Sequence, residues 1–199
     1  MRADAQRNID AITAAAVDCL SRDPDASVNE IAKAAGVGRV TLYGHFPSRA
    51  DLVDAAAVRA IADGAALLDA VDLDGEPRAA LTRLVEASWQ LVNRFRSLLL
   101  AAQQTLPPGR IRSLHSEPAD RMLGLLERGQ AAGVFRTDLP NPWLISVIQN
   151  VMHGAADEIN AGRLDATDAA DLISATILAA LTPPGRRVPA PTRVPDDSA

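Results

Sequence analysis

Apolar residues recur at helical spacing along almost the whole chain, which predicts a protein built from helices alone. The segments between these runs are rich in Asp, Gly and Pro, which favour turns. The pattern predicts about nine helices, over residues 4–21, two between 27 and 47, then 49–72, 77–104, 111–116, 118–133, 142–162 and 166–182.

The stretch 27–49 predicts two short helices joined by a tight turn, which is the plan of a helix-turn-helix. Ser27 is followed three residues later by Glu30, a pair that fits a capping box at the start of the first helix. Gly36 suits the left-handed conformation that ends many helices, and Pro47 ends the second helix. In a helix-turn-helix the second helix lies in the major groove of DNA.

The second helix of this pair carries side chains that suit DNA contacts. Arg39, near its start, can form two hydrogen bonds with a guanine edge. Thr41, Tyr43 and His45 can donate to phosphate oxygens, which position a protein without reading sequence. Arg49 begins the next helix, where a nearby phosphate would offset the unfavourable helix dipole. The competing interpretation is a capped helical hairpin with ordinary polar surface groups.

The identities of these residues resemble those of the TetR family of transcriptional repressors. The run IAKAAGVGRVTLYGHFPSR, residues 31–49, is similar without a gap to the family's helix-turn-helix motif. The resemblance implies a DNA-binding domain of three helices over 1–48 and a helical ligand-binding and dimerisation domain over 49–183. The residues expected to contact DNA are Lys33, Gly38, Arg39, Val40, Thr41, Tyr43, Gly44, His45 and Arg49.

Two glycines depart from the sequence that is usual in this family. Gly38 stands where the family often has Ser, so we expect the recognition helix to lack a side-chain cap. Gly44 stands where the family usually has a larger residue, often one near the DNA backbone. We therefore expect one phosphate contact fewer and a looser end of the helix.

Composition supports a helical protein but shows no general basic charge. Hydrophobic residues make up 48% of the 199 residues and aromatic residues only 3%, and the net charge is −5. The first sixty residues carry seven Lys or Arg against eight acids, which leaves a net charge of −1. Any basic surface for DNA must come from the placement of Arg39, Arg49 and Lys33. We therefore expect a modest non-specific affinity for DNA.

The remaining chemistry of the sequence is sparse. The single cysteine, Cys19, allows no internal disulfide and falls among apolar positions, so we expect a small buried side chain. The polar N-terminus predicts no signal peptide, and no apolar run approaches the ~20 residues of a membrane span, so we expect a cytoplasmic protein. His153 and Asp157 could form an acid–base pair, but no nucleophile motif, phosphate loop or metal-spaced cluster accompanies them. We expect no enzyme activity, cofactor or metal.

The helices predicted at 142–162 and 166–182 are apolar around most of their circumference, which indicates burial on nearly all sides. We expect them to pair with their copies in a homodimer, with Ile148 and Ile177 in the interface. Residues 184–199 are rich in Pro and predict a disordered tail.

A polar stripe crosses the first of these two helices, and it consists of Ser146, Asn150, His153 and Asp157. Three interpretations are open: the stripe contacts a ligand, it forms a polar seam across the dimer interface, or it is an exposed edge of the helix. The residues expected to line a ligand pocket are Trp89, Asn93, Met122, Trp143, Asn150 and His153. Because the stretch 142–162 holds no Lys or Arg, we expect a neutral or weakly basic apolar ligand.

The expected function is therefore that of a TetR-like repressor. A homodimer would bind a pseudo-palindromic DNA operator and would be released from it by a small molecule. The alternative is a DNA-binding dimer that needs no ligand and is regulated by a protein partner.

Overall fold

The computed structural model describes residues 2–114 and 116–188, with the backbone alone described for residues 2, 3, 112 and 116–119. Within these ranges the chain is all-helical, as predicted, and has no strand. The ten helices of the described ranges are α1 (Arg2–Arg22), α2 (Val28–Ala34), α3 (Arg39–His45), α4 (Arg49–Asp69), α5 (Pro77–Arg94), α6 (Arg96–Thr105), α7 (Pro108–Leu114), α8 (Ser116–Ala131), α9 (Asn141–Asn160) and α10 (Ala166–Leu181). Most of the predicted tail, 184–199, lies outside the described residues.

The prediction of one helix over 77–104 is wrong, because the chain breaks at Phe95 into α5 and α6. Phe95 has φ −107° and ψ 17°, which departs from helical geometry. No Gly or Pro marks the break, and apolar residues keep their spacing through it. The cause is tertiary, since the chain up to Asn93 packs with one compact unit and the chain from Arg94 packs with the other.

The chain forms two compact units. The first contains α1–α4, α6 and α7, and the second contains α5 and α8–α10. The first unit thus includes α6 and α7 beside the N-terminal helices. The functional boundaries predicted at 48 and 183 remain predictions.

The first unit has a continuous apolar core in which α1 packs against α2, α4 and α6. Cys19 is partly buried against this core. An ion pair fastens α7 to α4, because the Arg110 guanidinium donates to both carboxylate oxygens of Asp54 at 2.6 and 2.8 Å. This contact raises the pKa of Arg110. The fully buried large side chains of this core are Ile12, Leu20, Ile31, Leu42 and Leu52.

The second unit contains the α9–α10 pair, whose helices pack against each other. Arg136 fastens the end of α10: its N–H donates to Leu181 O at 2.8 Å, and its guanidinium donates to Ala180 O at 3.1 Å. At the end of α8 the ring of Phe135 lies against Gly129, where an added Cβ would clash with the ring. Only glycine fits this position without movement of the aromatic side chain.

The prediction that Ile148 and Ile177 lie in a dimer interface is wrong. They are 1% and 0% exposed within a single protomer, so they belong to its own core. Apolar residues occupy several faces of α9 and α10, and packing decides which face turns inward. Among the residues described, no helix is both long and apolar enough to cross a membrane.

Candidate nucleic-acid interface

The first helix of the motif, α2, begins with the capping box that the sequence predicts. The Glu30 N–H donates to Ser27 Oγ at 3.2 Å, and the Ser27 N–H donates to Glu30 Oε2 at 2.7 Å. Hydrogen bonds that the hydroxyl and the backbone N–H of Ser27 make to the Glu30 carboxyl lower its pKa. Two N–H groups that would otherwise lack partners are satisfied, and the start of the helix is fixed.

The turn between α2 and α3 is formed by Gly36, which has φ +69°. The Gly36 N–H donates to Lys33 O at 3.2 Å, and the Val37 N–H donates to Ala32 O at 3.0 Å. This pair of bonds is a Schellman motif, which ends a helix at a left-handed residue. The turn predicted from the sequence is therefore confirmed. Lys33 is exposed in the last turn of α2.

The recognition helix α3 has one buried face and one exposed face. Leu42 and Phe46 are buried in the core of the first unit. Gly38 precedes the helix and supplies no side-chain cap, as expected from its identity. The opposite surface exposes most of the predicted DNA-contacting residues: Arg39, Val40, Thr41, Tyr43 and Gly44, with His45 partly exposed.

Two exposed side chains of α3, Arg39 and Tyr43, contact each other. The Arg39 guanidinium lies over the Tyr43 ring, 5.4 Å from its centroid, in a cation–π arrangement. The pair is four residues apart, which places both side chains on one stripe of the helix. The positive charge of Arg39 is therefore held at the exposed surface.

Arg49 is already engaged within the protein. Its guanidinium donates to the carbonyl oxygens of Ala26 and, at 2.7 Å, Pro24, and thereby fastens the start of α4 to the loop before α2. These two carbonyl oxygens are hydrogen-bond partners for the Arg49 guanidinium, which the sequence predicted to lie near a DNA phosphate. The contact of Arg49 with DNA remains a prediction. Its role in fastening α4 was not predicted, because its partners lie 23 and 25 residues away in the chain. Ser48 caps α4, as predicted, and accepts from the Asp51 N–H at 3.2 Å.

The residues predicted to line a ligand pocket have different environments. Trp89 and Met122 are buried, whereas Asn93 and His153 are partly exposed. The roles of these four residues as ligand contacts remain predictions.

The two other predicted pocket residues, Trp143 and Asn150, lie at the surface of the protomer. Trp143 is 58% exposed. Asn150 is exposed and donates to its own helix at Ser146 O, 2.8 Å away. Their roles in ligand binding likewise remain predictions.

Glu86 is a further residue of interest, which is not among the predicted pocket residues. It lies on α5 three residues before Trp89 and is half-buried. Burial raises the pKa of Glu86, and the charge of Asp171 on α10 raises it further. A single acid inside the apolar run from Leu84 to Trp89 was the signal that could have identified it.

Related sequences match the helix-turn-helix and, in one case, most of the chain. Residues 12–56 match the family described as bacterial regulatory proteins, tetR family. The repressor LfrR of Mycolicibacterium smegmatis is 41% identical over 88 residues, and the match covers 43% of this chain and 46% of LfrR. The chain thus spans about half the length of that relative. The regulator NfxB of Pseudomonas aeruginosa is 29% identical over 192 residues, covering 91% of this chain and 96% of NfxB.

Solved structures match nearly the whole fold. A TetR-family regulator from Rhodococcus sp. has a TM-score of 0.70 at 19% identity, covering 89% of this chain and 100% of its own. LfrR from Mycobacterium smegmatis in complex with proflavine has a TM-score of 0.65 at 25% identity, covering 86% of this chain and 94% of its own.

The two short helices, the tight turn between them and the exposed face of α3 form a helix-turn-helix, the kind of motif that binds DNA. Over residues 12–56 the sequence is similar to the TetR family of transcriptional regulators, and the fold is similar to that of TetR-family regulators. The named relatives are transcriptional regulators, which is a non-enzymatic role.

Proposed function

We propose that the protein is a cytoplasmic repressor that binds a pseudo-palindromic operator as a homodimer and is released by a small apolar, weakly basic molecule. The observation that carries the proposal is the exposed face of α3, on which Arg39 is held over Tyr43. In such a dimer each recognition helix would lie in one of two successive major grooves.

Arg39 is the proposed base reader, because a guanidinium can bond guanine O6 and N7 together. Thr41, Tyr43 and His45 are proposed to position the helix through phosphate oxygens. Lys33, exposed at the end of α2, would add a further phosphate contact. Because the first sixty residues carry no net positive charge, these few groups would supply most of the affinity.

The outer faces of α9 and α10 support the proposed dimer. Trp143 on α9 and Leu172 on α10 are 58% and 53% exposed in the protomer. Gly154, in the interior of α9, is exposed, and an added Cβ would meet nothing within 4 Å. A glycine there costs helix stability by ~1 kcal/mol and has no packing role inside the protomer, but it would let a partner helix approach closely. We accordingly assign Trp143 and the exposed Asn150 to the interface rather than to a pocket.

The ligand site is proposed at Trp89 on α5 and Met122 on α8, both buried in the second unit. Asn93 lies four residues after Trp89 on α5, so the two share a stripe of the helix, and Glu86 lies on the same stripe. His153 on α9 would be a further polar contact. A basic group beside Glu86 would offset the lost hydration of that carboxylate, which favours a weakly basic ligand. The structure of LfrR in complex with proflavine, an aromatic base, makes proflavine a suitable first probe.

Release would follow from the way the chain connects its two units. The chain runs from α4 to α5 through residues 70–76 and passes directly from α5 to α6 at Phe95. A ligand that shifted α5 would therefore act on α4 and α6, the helices before and after it. Both pack in the first unit, which contains the helix-turn-helix. A coupling of ~1–3 kcal/mol would change operator occupancy by about one to two decades.

The test uses the full chain with DNA duplexes selected from a random-sequence pool and with proflavine as the probe. We expect a dimer in light scattering, a selected pseudo-palindrome, and release of that duplex by proflavine. Glu86→Gln keeps the size of the side chain and should weaken the response to proflavine while leaving operator binding intact. Glu127→Gln is the matched control, because Glu127 is an exposed residue of α8 in the same unit.

Three outcomes would count against parts of this proposal. A monomer that binds each half-site independently would contradict the homodimer. Equal proflavine responses of wild type and Glu86→Gln would exclude the site on α5. Operator binding that no small molecule relieves, together with release by a protein, would favour the alternative of a partner-regulated dimer.

A further inference from the structure

Val40 is 88% exposed, more than any other large apolar side chain in the described part of the chain. It lies in the first turn of the recognition helix and adds nothing to the core of its unit. Single exposed apolar residues are common on protein surfaces, so exposure alone assigns no role. The positions of the neighbouring residues on α3 indicate a role for Val40.

The exposed face of α3 consists of two parallel stripes. Leu42 lies roughly 200° around the helix from Val40, so burial of Leu42 turns Val40 outward. One stripe is the Arg39–Tyr43 pair, in which the guanidinium is held over the ring. The other stripe is Val40 followed one turn later by Gly44, where an added Cβ would meet nothing within 4 Å. A small apolar surface is therefore left uncovered beside the Arg39 guanidinium.

We infer that Val40 contacts the 5-methyl group of a thymine next to the guanine contacted by Arg39. The inference rests on the proposed binding of α3 in the major groove. Among the groups that base pairs present in that groove, the thymine methyl is the apolar one. Arg39 and Val40 are adjacent in the chain and open onto the same surface, so each half-site of the operator would place thymine beside guanine.

The expected effect is small but measurable. Removing one methyl group from water changes an affinity about fourfold, which corresponds to ~0.8 kcal/mol. Two symmetric half-sites in a dimer would give a change of about fifteenfold. A contact with a phosphate would show no such dependence on the base methyl.

The experiment replaces thymine by uracil, one symmetric pair of positions at a time, in the duplex selected by the full-length protein. Uracil keeps every hydrogen-bonding group of thymine and lacks only the methyl. We expect one such pair, beside the guanine that Arg39 requires, to lower the affinity about fifteenfold, and replacement in one half-site alone to lower it about fourfold. Val40→Ala should bind the thymine duplex about as weakly as wild type binds the uracil duplex, with no further loss when both changes are combined.

Val58→Ala on α4 is the matched control, because Val58 is also exposed and belongs to the same unit. It should keep the full response to uracil. Thermal unfolding should be unchanged in Val40→Ala, since the side chain is outside the core. If no replacement of thymine by uracil in the selected duplex lowers the affinity, the inference is overturned and the proposed function stands. The same holds if uracil still lowers the affinity of Val40→Ala. Failure to select any sequence overturns the proposed function, and this inference with it.

Discussion

The helix-turn-helix and the α9–α10 pair obtain their structures in different ways. Helices α2 and α3 are seven residues each; α2 begins at the Ser27–Glu30 capping box and ends at the Gly36 turn, whereas α3 has no side-chain cap. Helices α9 and α10 have 20 and 16 residues, and apolar side chains occupy most of their circumference. The structure of the first region is therefore specified largely by short-range hydrogen bonds. The structure of the second depends on which apolar face of each helix packs against other helices.

This difference determines which property of the protein a substitution in each region should change. In the helix-turn-helix the exposed face carries the proposed function and the capping residues fix the geometry. In the α9–α10 pair, residues of similar chemistry have opposite roles, since Ile177 is in the core and Leu172 is on the surface. Substitutions in both regions test this contrast, in order of decreasing expected effect.

Ile177→Asp should give the largest effect. Ile177 is fully buried, and a carboxylate in its place would lose hydration in an apolar environment. We expect the free energy of unfolding to fall by ~4 kcal/mol or more, measured by chemical denaturation. Leu67→Asp on α4, where the side chain is 55% exposed and lies outside the proposed interface, is the control and should unfold at nearly the wild-type denaturant concentration. Equal stability of the two variants would contradict the inward assignment of Ile177.

Leu172→Asp should act on assembly instead. Loss of one buried leucine from each side of the proposed interface would weaken dimerisation by roughly 1.5–3 kcal/mol per protomer. Sedimentation over a range of protein concentrations measures the change. Leu67→Asp on α4 is a matched control, because Leu67 is 55% exposed and lies outside α9 and α10. If Leu172→Asp dimerised as tightly as wild type, this face of α10 would not be in the interface.

Arg39→Ala should weaken operator binding by ~1–3 kcal/mol and relax the preference at one base pair of each half-site. Tyr43→Ala should weaken binding to all sequences through loss of its phosphate contact, and it should also relax the base preference, because the ring beside the Arg39 guanidinium is removed. Tyr43→Phe keeps the ring that supports the guanidinium and should retain the base preference. Binding titrations on the selected duplex and on scrambled duplexes separate these effects. Unchanged operator affinity of Arg39→Ala would exclude it as the base reader.

Changes at the helix caps should have the smallest effects: Ser27→Ala should lower the free energy of unfolding by ~1 kcal/mol, because the cap of α2 is removed. Gly38→Ser introduces a cap at α3 and should instead stabilise the protein by a few tenths of a kcal/mol. Both are measured by thermal or denaturant unfolding. A Ser27→Ala variant as stable as wild type would show that the tertiary core alone fixes α2.

The same cap predicts a pH dependence with a definite sign. Hydrogen bonds from Ser27 lower the pKa of Glu30 in the folded protein. The contribution of Glu30 is therefore present above the unfolded pKa of the carboxyl and is lost as the pH falls through the lower folded pKa. Glu30→Gln should remove this part of the acid dependence of stability, and Ser27→Ala should reduce it. Denaturant unfolding at a series of acidic pH values measures both effects.

The sequence by itself determined the all-helical class, the helix-turn-helix and its turn. Ser27, Glu30 and Gly36 act on backbone groups at most five residues away, so their effect is encoded within the segment that they shape. The exposure of Arg39 and the lack of a cap at Gly38 followed from the same local pattern.

The tertiary structure alone decided the break at Phe95, the roles of Arg49 and Arg110, and the inward faces of α9 and α10. Apolar spacing continued through Phe95, and only the packing of α5 and α6 with different units separates them. The partners of Arg49 and Arg110 lie 23 to 56 residues away in the chain, beyond the reach of any local pattern. A helix that is apolar on several sides offers several equivalent faces, and contacts with distant segments select the one that is buried.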